Sequence, residues 1–153
     1  MAKIRVGFVS NSSSSSLVVI GNSFPDPDWY KCNFKDCVFD GSEQRGCTEF
    51  GWGPDILKDA DSRINFAYIQ AQMMNNDEWM NMLREVIMEY LECHDVIINI
   101  TDQYSSKDGV WGYIDHQSAA CDGENIEIFE NKEVLKRFLF CEDSKIVLDN
   151  DNH

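Results

Sequence analysis

The sequence predicts an α+β domain, with a mostly antiparallel sheet and about three helices packed on one face. Three observations predict it. The chain has 153 residues, the length of one ordinary domain, so residues 1–153 are read as a single unit. Ile, Leu, Val and Phe make up about a quarter of it, above the level at which charged chains stay unfolded. Short β-branched runs flank a middle section whose apolar residues recur at helical spacing.

The first third reads as strands. Ile4, Val6, Phe8 and Val9 form one run, with Gly7 marking a bulge or a close backbone approach. Leu17 to Ile20 is a second run, closed by Gly21-Asn22, and Pro25-Asp26-Pro27 marks a turn. Trp29 to Phe39 is aromatic-rich and roughly alternating. Gly41 to Gly53 reads as loop, with a short strand near Phe50.

The middle reads as two helices. Pro54 suits a first helical position, and Asp55 complements the positive helix end. Ile56, Ala60, Ile64, Ala67, Tyr68 and Ala71 then give the apolar face. Asn76 caps a second helix, with Asp77 and Glu78 in its first turn. Its stripe is Trp79, Met82, Leu83, Val86, Ile87, Tyr90 and Leu91, and His94 falls at its end. Val96–Ile100, Trp111–Ile114 and Ile126–Phe129 read as strands. Asn131 caps a last helix that buries Val134, Leu135, Phe138 and Leu139 and leaves Lys132, Lys136 and Arg137 outside. Lys145–Leu148 is a final strand.

The chain is strongly acidic: 13 Lys and Arg against 27 Asp and Glu, a net charge of −14. Residues 1–53 carry a net −1, residues 54–94 a net −5 and residues 95–153 a net −8. That balance argues against direct nucleic-acid binding, which needs a Lys/Arg surface to neutralise phosphates. It equally argues against docking on an anionic membrane. No apolar run approaches the ~18–20 residues of a membrane span. Lys3 and Arg5 interrupt the N-terminal apolar run, so no secretory signal is read, and a cytoplasmic chain is expected. The six cysteines are then reduced thiols or metal ligands, not a disulfide framework.

Five groups of residues carry candidate chemistry. Ser12, Ser13 and Ser14, within five consecutive serines, can form turns whose N–H groups cradle an anion or a partner. The plainer reading is a polar hairpin connection, since no Lys-Ser/Thr pair follows glycines as in a phosphate loop. Asp115, His116 and Ser118 combine a carboxylate, a base and a nucleophile. Adjacent residues seldom point at one another, and no G-x-S-x-G elbow is present, so a structural polar loop is the plainer reading. Cys32, Cys37 and Cys47 could form a zinc site with His94 or His116, but the tight C-x2-C knuckle is missing. Asp149 and Asp151 resemble part of a calcium loop without its glycine and final Glu, which reads more simply as an acidic tail. Met80 and Met88 lie off the main helical stripe, where methionines make adaptable partner surfaces, although core and helix–helix filler is the plainer reading. No cofactor is expected.

The run Gly7-Phe8-Val9-Ser10-Asn11 followed by Ser12 to Ser16 resembles the N-terminus of small uncharacterised proteins of tailed bacteriophages and some bacteria. Their usual motif continues into Phe, where this chain has Leu17. Gly112-Tyr113-Ile114-Asp115-His116-Gln117-Ser118, and the ending from Phe138 through Ile146 and Val147 to Asn152, are similar to the same group. The resemblance implies a phage or prophage origin. It implies nothing about catalysis.

Three functions follow as expectations. The first is a non-enzymatic phage protein that binds a basic host or phage protein, of the host-takeover or anti-defence type. Its carboxylates would stand in for the phosphates that a nucleic-acid-binding partner recognises. The second is a small hydrolase centred on Asp115 and His116. The third is a virion-associated structural protein.

Overall fold

The computed structural model describes residues 3–6, 15–26, 38–40, 49–50, 55–98, 100–102, 110–114 and 126–149. In chain order the elements are strands β1 (Lys3–Val6), β2 (Ser15–Ile20), β3 (Val38–Asp40), β4 (Glu49–Phe50) and β5 (Asp55–Leu57), helices α1 (Ala60–Met73) and α2 (Asp77–Leu91), strands β6 (Asp95–Ile97), β7 (Ile100–Asp102) and β8 (Val110–Ile114), a 3-10 turn at Ile126–Phe129, helix α3 (Lys132–Phe140) and strand β9 (Lys145–Asp149). The domain is α+β. Its largest sheet is antiparallel, in the order β1-β2-β9-β5. Two shorter parallel ladders accompany it, β3-β6 and β4-β8-β7.

The last strand of the chain lies inside the antiparallel sheet. Val18 and Leu57 both pair with Ile146, from opposite sides. Alternation then sorts the side chains. Val18, Ile20, Ile146 and Leu148 are buried in the core, whereas Ile56, one residue out of phase with Leu57, is 51% exposed. Helix α3 packs on β2, on α2 and on α1.

The sequence places Asp55–Leu57 at the start of the first long helix. Instead it forms β5, because three residues pair there with β9. The helix starts at Ala60, where Asp59 Oδ2 accepts the N–H of Ser62 at 2.8 Å and caps the first turn. Helix α1 then runs between α2 and α3 on one side and β7 and β8 on the other. It is buried around most of its circumference, not along the single stripe the spacing suggested: Ser62, Arg63, Asn65 and Gln70 are inside as well as Ile64, Phe66 and Ala67. The Phe66 ring meets Phe50 edge-on at 5.0 Å and Phe138 at 6.1 Å, joining the parallel ladder to α3.

Helix α2 matches its sequence pattern. Asn76 caps it by accepting the N–H of Trp79 at 3.1 Å, and Leu83, Val86, Ile87 and Leu91 are buried. It ends at Glu92 in the left-handed conformation (φ 55°). The run from Val96 to Ile100 is not one strand. It divides into β6, paired with β3, and β7, paired with β8. Ile126–Phe129 is also not a strand but a 3-10 turn, leading into the Asn131 cap of α3. Its Phe129 ring stacks on Trp79 at 4.6 Å, so this short apolar run is consumed by helix packing. The expected strand residues Phe8 and Val9, and most of the segments from Trp29 to Phe39 and Gly41 to Gly53, lie outside the described residues.

Two polar devices lock the helices to the sheet. The buried Arg63 guanidinium on α1 donates to Phe138 O at 3.1 Å and to Cys141 O, supplying a cation at the negative end of α3. The turn between α3 and β9 is fastened to the end of β2. Asp143 accepts the N–H groups of Asn22 (3.1 Å) and Ser23 (2.9 Å), and Ser144 Oγ accepts the N–H of Gly21 at 2.8 Å. The same Ser144 hydroxyl donates to Arg137 O at 2.6 Å.

Candidate functional site

The chemistry-bearing groups of the sequence fall mostly outside the described residues. Asp115, His116 and Ser118 follow Ile114, the last residue of β8, and Cys32, Cys37 and Cys47, Ser12 to Ser14 and Asp151 are likewise outside. Asp149 closes β9, where its backbone pairs with Ser15. The end of the serine run and the start of the acidic tail therefore share one corner of the sheet. Among the described residues no group of three or more His, Cys, Asp or Glu side chains could hold a metal. Cys93 and Cys141 are buried free thiols at the ends of helices, and burial, with Asp143 nearby, pushes the Cys141 thiol up to about 11. A thiol so held stays protonated near neutral pH and is a poor nucleophile.

Met80 is the singled-out residue that the fold brings to a concave surface. It is half-buried, as is Met88, and both pack against the core instead of standing on an outer face. Met80 walls a cleft of about 300 Å3 between α1, α2 and β6. Leu83 and Val96, both buried, form its floor, and Tyr68 and Ile98 its other walls. The spacing explains the assembly. Met80, Leu83 and Arg84 fall on adjoining turns of α2, and Val96 and Ile98 are two residues apart in extended chain.

Among the described residues the polar groups at this cleft are Tyr68 and Arg84. Burial pushes the Tyr68 hydroxyl above its ordinary value of 10.0, so it is a neutral hydrogen-bonding group at any physiological pH. Arg84 is committed: Nη1 donates to Val96 O at 3.0 Å, and Nη2 meets Asp95 Oδ1 at 3.2 Å. The Asp95 carboxylate also accepts the N–H of Val96 at 2.8 Å. Among the described residues the lining offers no nucleophile and no base, so what it can do is bind an apolar group. The sequence pointed to Met80 alone. Tyr68, Val96 and Ile98 carried only core signals, because the cleft exists only where three separate elements meet.

A second cleft, of about 480 Å3, lies at the start of α1 beside Asp26, Lys58, Asp59, Arg63 and Glu142. Its carboxylates are engaged locally: Asp59 caps α1, and Glu142 accepts from the Ser23 hydroxyl at 3.3 Å. On α2, Asp77, Glu78, Glu85 and Glu89 are exposed, as is Glu92 at its end. Lys132 reaches across from α3 to Glu85 at 2.8 Å and Glu89 at 3.2 Å. No helix among the described residues is long and apolar enough to cross a membrane. No protein family, curated protein or solved structure matches this chain.

Proposed function

We propose that this protein acts by binding another protein of basic character, in the manner of a phage host-takeover or anti-defence protein in the host cytoplasm. The observation that carries the reading is the surface charge. The chain carries a net −14, and among the described residues Asp77, Glu78, Glu85 and Glu89 of α2 and Glu92 at its end are exposed, with Lys132 of α3 reaching Glu85 and Glu89 and Arg84 paired with Asp95. Such a field steers a basic partner and raises its association rate more than its affinity. A nucleic-acid-binding protein is the natural target class, with carboxylates taking the place of phosphates. The likeness of residues 7–17 to phage proteins supports the setting. The test is capture from a bacterial lysate on the tagged full chain, read by mass spectrometry. The reading expects one stoichiometric basic partner that is lost at high salt. A clean lane at low salt, in uninfected and phage-infected lysates alike, would overturn it.

A further inference from the structure

We infer that the cleft between α1, α2 and β6 is the anchoring point of that interface, and that it receives one large apolar side chain of the basic partner. The inference rests on the basic-partner reading and adds its site and the chemistry of the contact. The cleft volume, about 300 Å3, stands at the lower limit of the ~300–1,000 Å3 of small-molecule sites, so it fits a single ring or branched chain. Its floor and walls are Leu83, Val96, Met80 and Ile98, with the Tyr68 ring. Among the described residues no carboxylate lines it, so a partner's lysine or arginine would lose hydration there without gaining a pair. A free anion fares no better, because Arg84 already serves Val96 O and Asp95. What remains is an apolar group.

Charge complementarity sets the kind of chain that carries it. Asp77, exposed, stands one turn before Met80 on α2, while Glu78 and Glu85 are exposed on the far side of the same helix. Asp95 pairs with Arg84, the cation among the described residues of the lining. An apolar hole with Asp77 near its edge, on a chain of net charge −14, matches an aromatic or aliphatic residue flanked by Lys and Arg. Interfaces concentrate their energy in such anchors, and the surrounding charges mainly steer. Met80, with its flexible thioether, suits a wall that must close on a side chain.

The test uses two labelled peptides with the full-length protein at low salt: a Lys/Arg-rich peptide with one central Trp, and the same peptide with Ala in its place. Fluorescence anisotropy reads both. The Trp peptide should bind at least tenfold more tightly, and Met80→Lys or Ile98→Lys should erase that ratio while the weak binding of the Ala peptide persists. Met80→Gln replaces them if the lysine variants lose the wild-type unfolding transition, and should reduce the ratio severalfold. Equal binding of the two peptides, or a ratio that survives these variants, overturns the anchoring cleft and leaves the basic-partner reading standing. Failure of both peptides to bind overturns the reading beneath it.

Discussion

The Asp143 carboxylate fills the space that any side chain at position 21 would need. A Cβ built on Gly21 collides with Asp143 Oδ1 and Cγ and comes within 2.8 Å of the Ser144 backbone N. Glycine here is a matter of close approach between the end of β2 and the turn before β9. Gly21→Ala must push that turn away and break the Gly21–Ser144 and Asn22–Asp143 hydrogen bonds. It should destabilise the protein by about 1–3 kcal/mol, the usual cost of overpacking. The urea midpoint measures it, and an unchanged midpoint would show that the turn gives way freely.

The same latch should be sensitive to acid. Partial burial pushes the Asp143 pKa up, but the N–H donors of Ser23 and Asn22 push it down by more, so it lies below its ordinary value of 3.8. A carboxylate with a depressed folded-state pKa contributes stability that is present above 3.8 and lost as pH falls through the lowered value. Asp143→Asn should therefore be less stable than wild type at pH 6, and the gap should shrink steadily below pH 3.8. Urea titrations at several pH values read the gap. A gap that stays constant into acid would mean that the charge plays no part.

Arg63 should prove costly to replace. Its guanidinium is buried on α1 and holds the Phe138 and Cys141 carbonyls of α3. Arg63→Met keeps much of the packing volume but leaves those carbonyls without this donor. The expected loss is about 2–3 kcal/mol, with partial recovery in Arg63→Lys, which keeps the charge but not the fork. Calorimetric or urea unfolding distinguishes the three proteins. Because the Ser144 N–H also donates to Cys141 O, at 3.1 Å, a harmless Arg63→Met would show that donors besides the guanidinium suffice for the carbonyls at the end of α3.

Gln70 should behave in the opposite way. It is fully buried on α1, and neither its amide nitrogen nor its amide oxygen has a hydrogen-bond partner among the described residues. A buried polar group left unpaired is a net cost, so Gln70→Leu should stabilise by about 1–2 kcal/mol. Destabilisation on the same urea assay would place a partner for that amide in the rest of the chain.

What could be read from the sequence follows from how each element is buried. Helix α2 has one wet side and one dry side, so its stripe and its Asn76 cap were legible at once, as was α3 with Asn131. Helix α1 is enclosed on nearly all sides. Its periodicity is blurred by Arg63, Asn65 and Gln70, and its start was misplaced onto residues that pair with β9. Ile126–Phe129 failed for a different reason: four apolar residues suit a strand or a turn equally, and only the Trp79 stack decides. The parallel ladders join residues far apart in sequence, which local pattern does not register. The same holds for the cleft. Met80 stood out because it was off the stripe, but Tyr68 and Val96 join it only through tertiary packing.

The most direct test of the central claim is the association rate of the captured partner as a function of ionic strength. From about 0.01 to about 1 M salt the screening length falls from roughly 30 to 3 Å. If the carboxylates of this protein steer a basic partner, the association rate should fall by orders of magnitude over that range while the dissociation rate changes little. An association rate indifferent to salt would contradict the account.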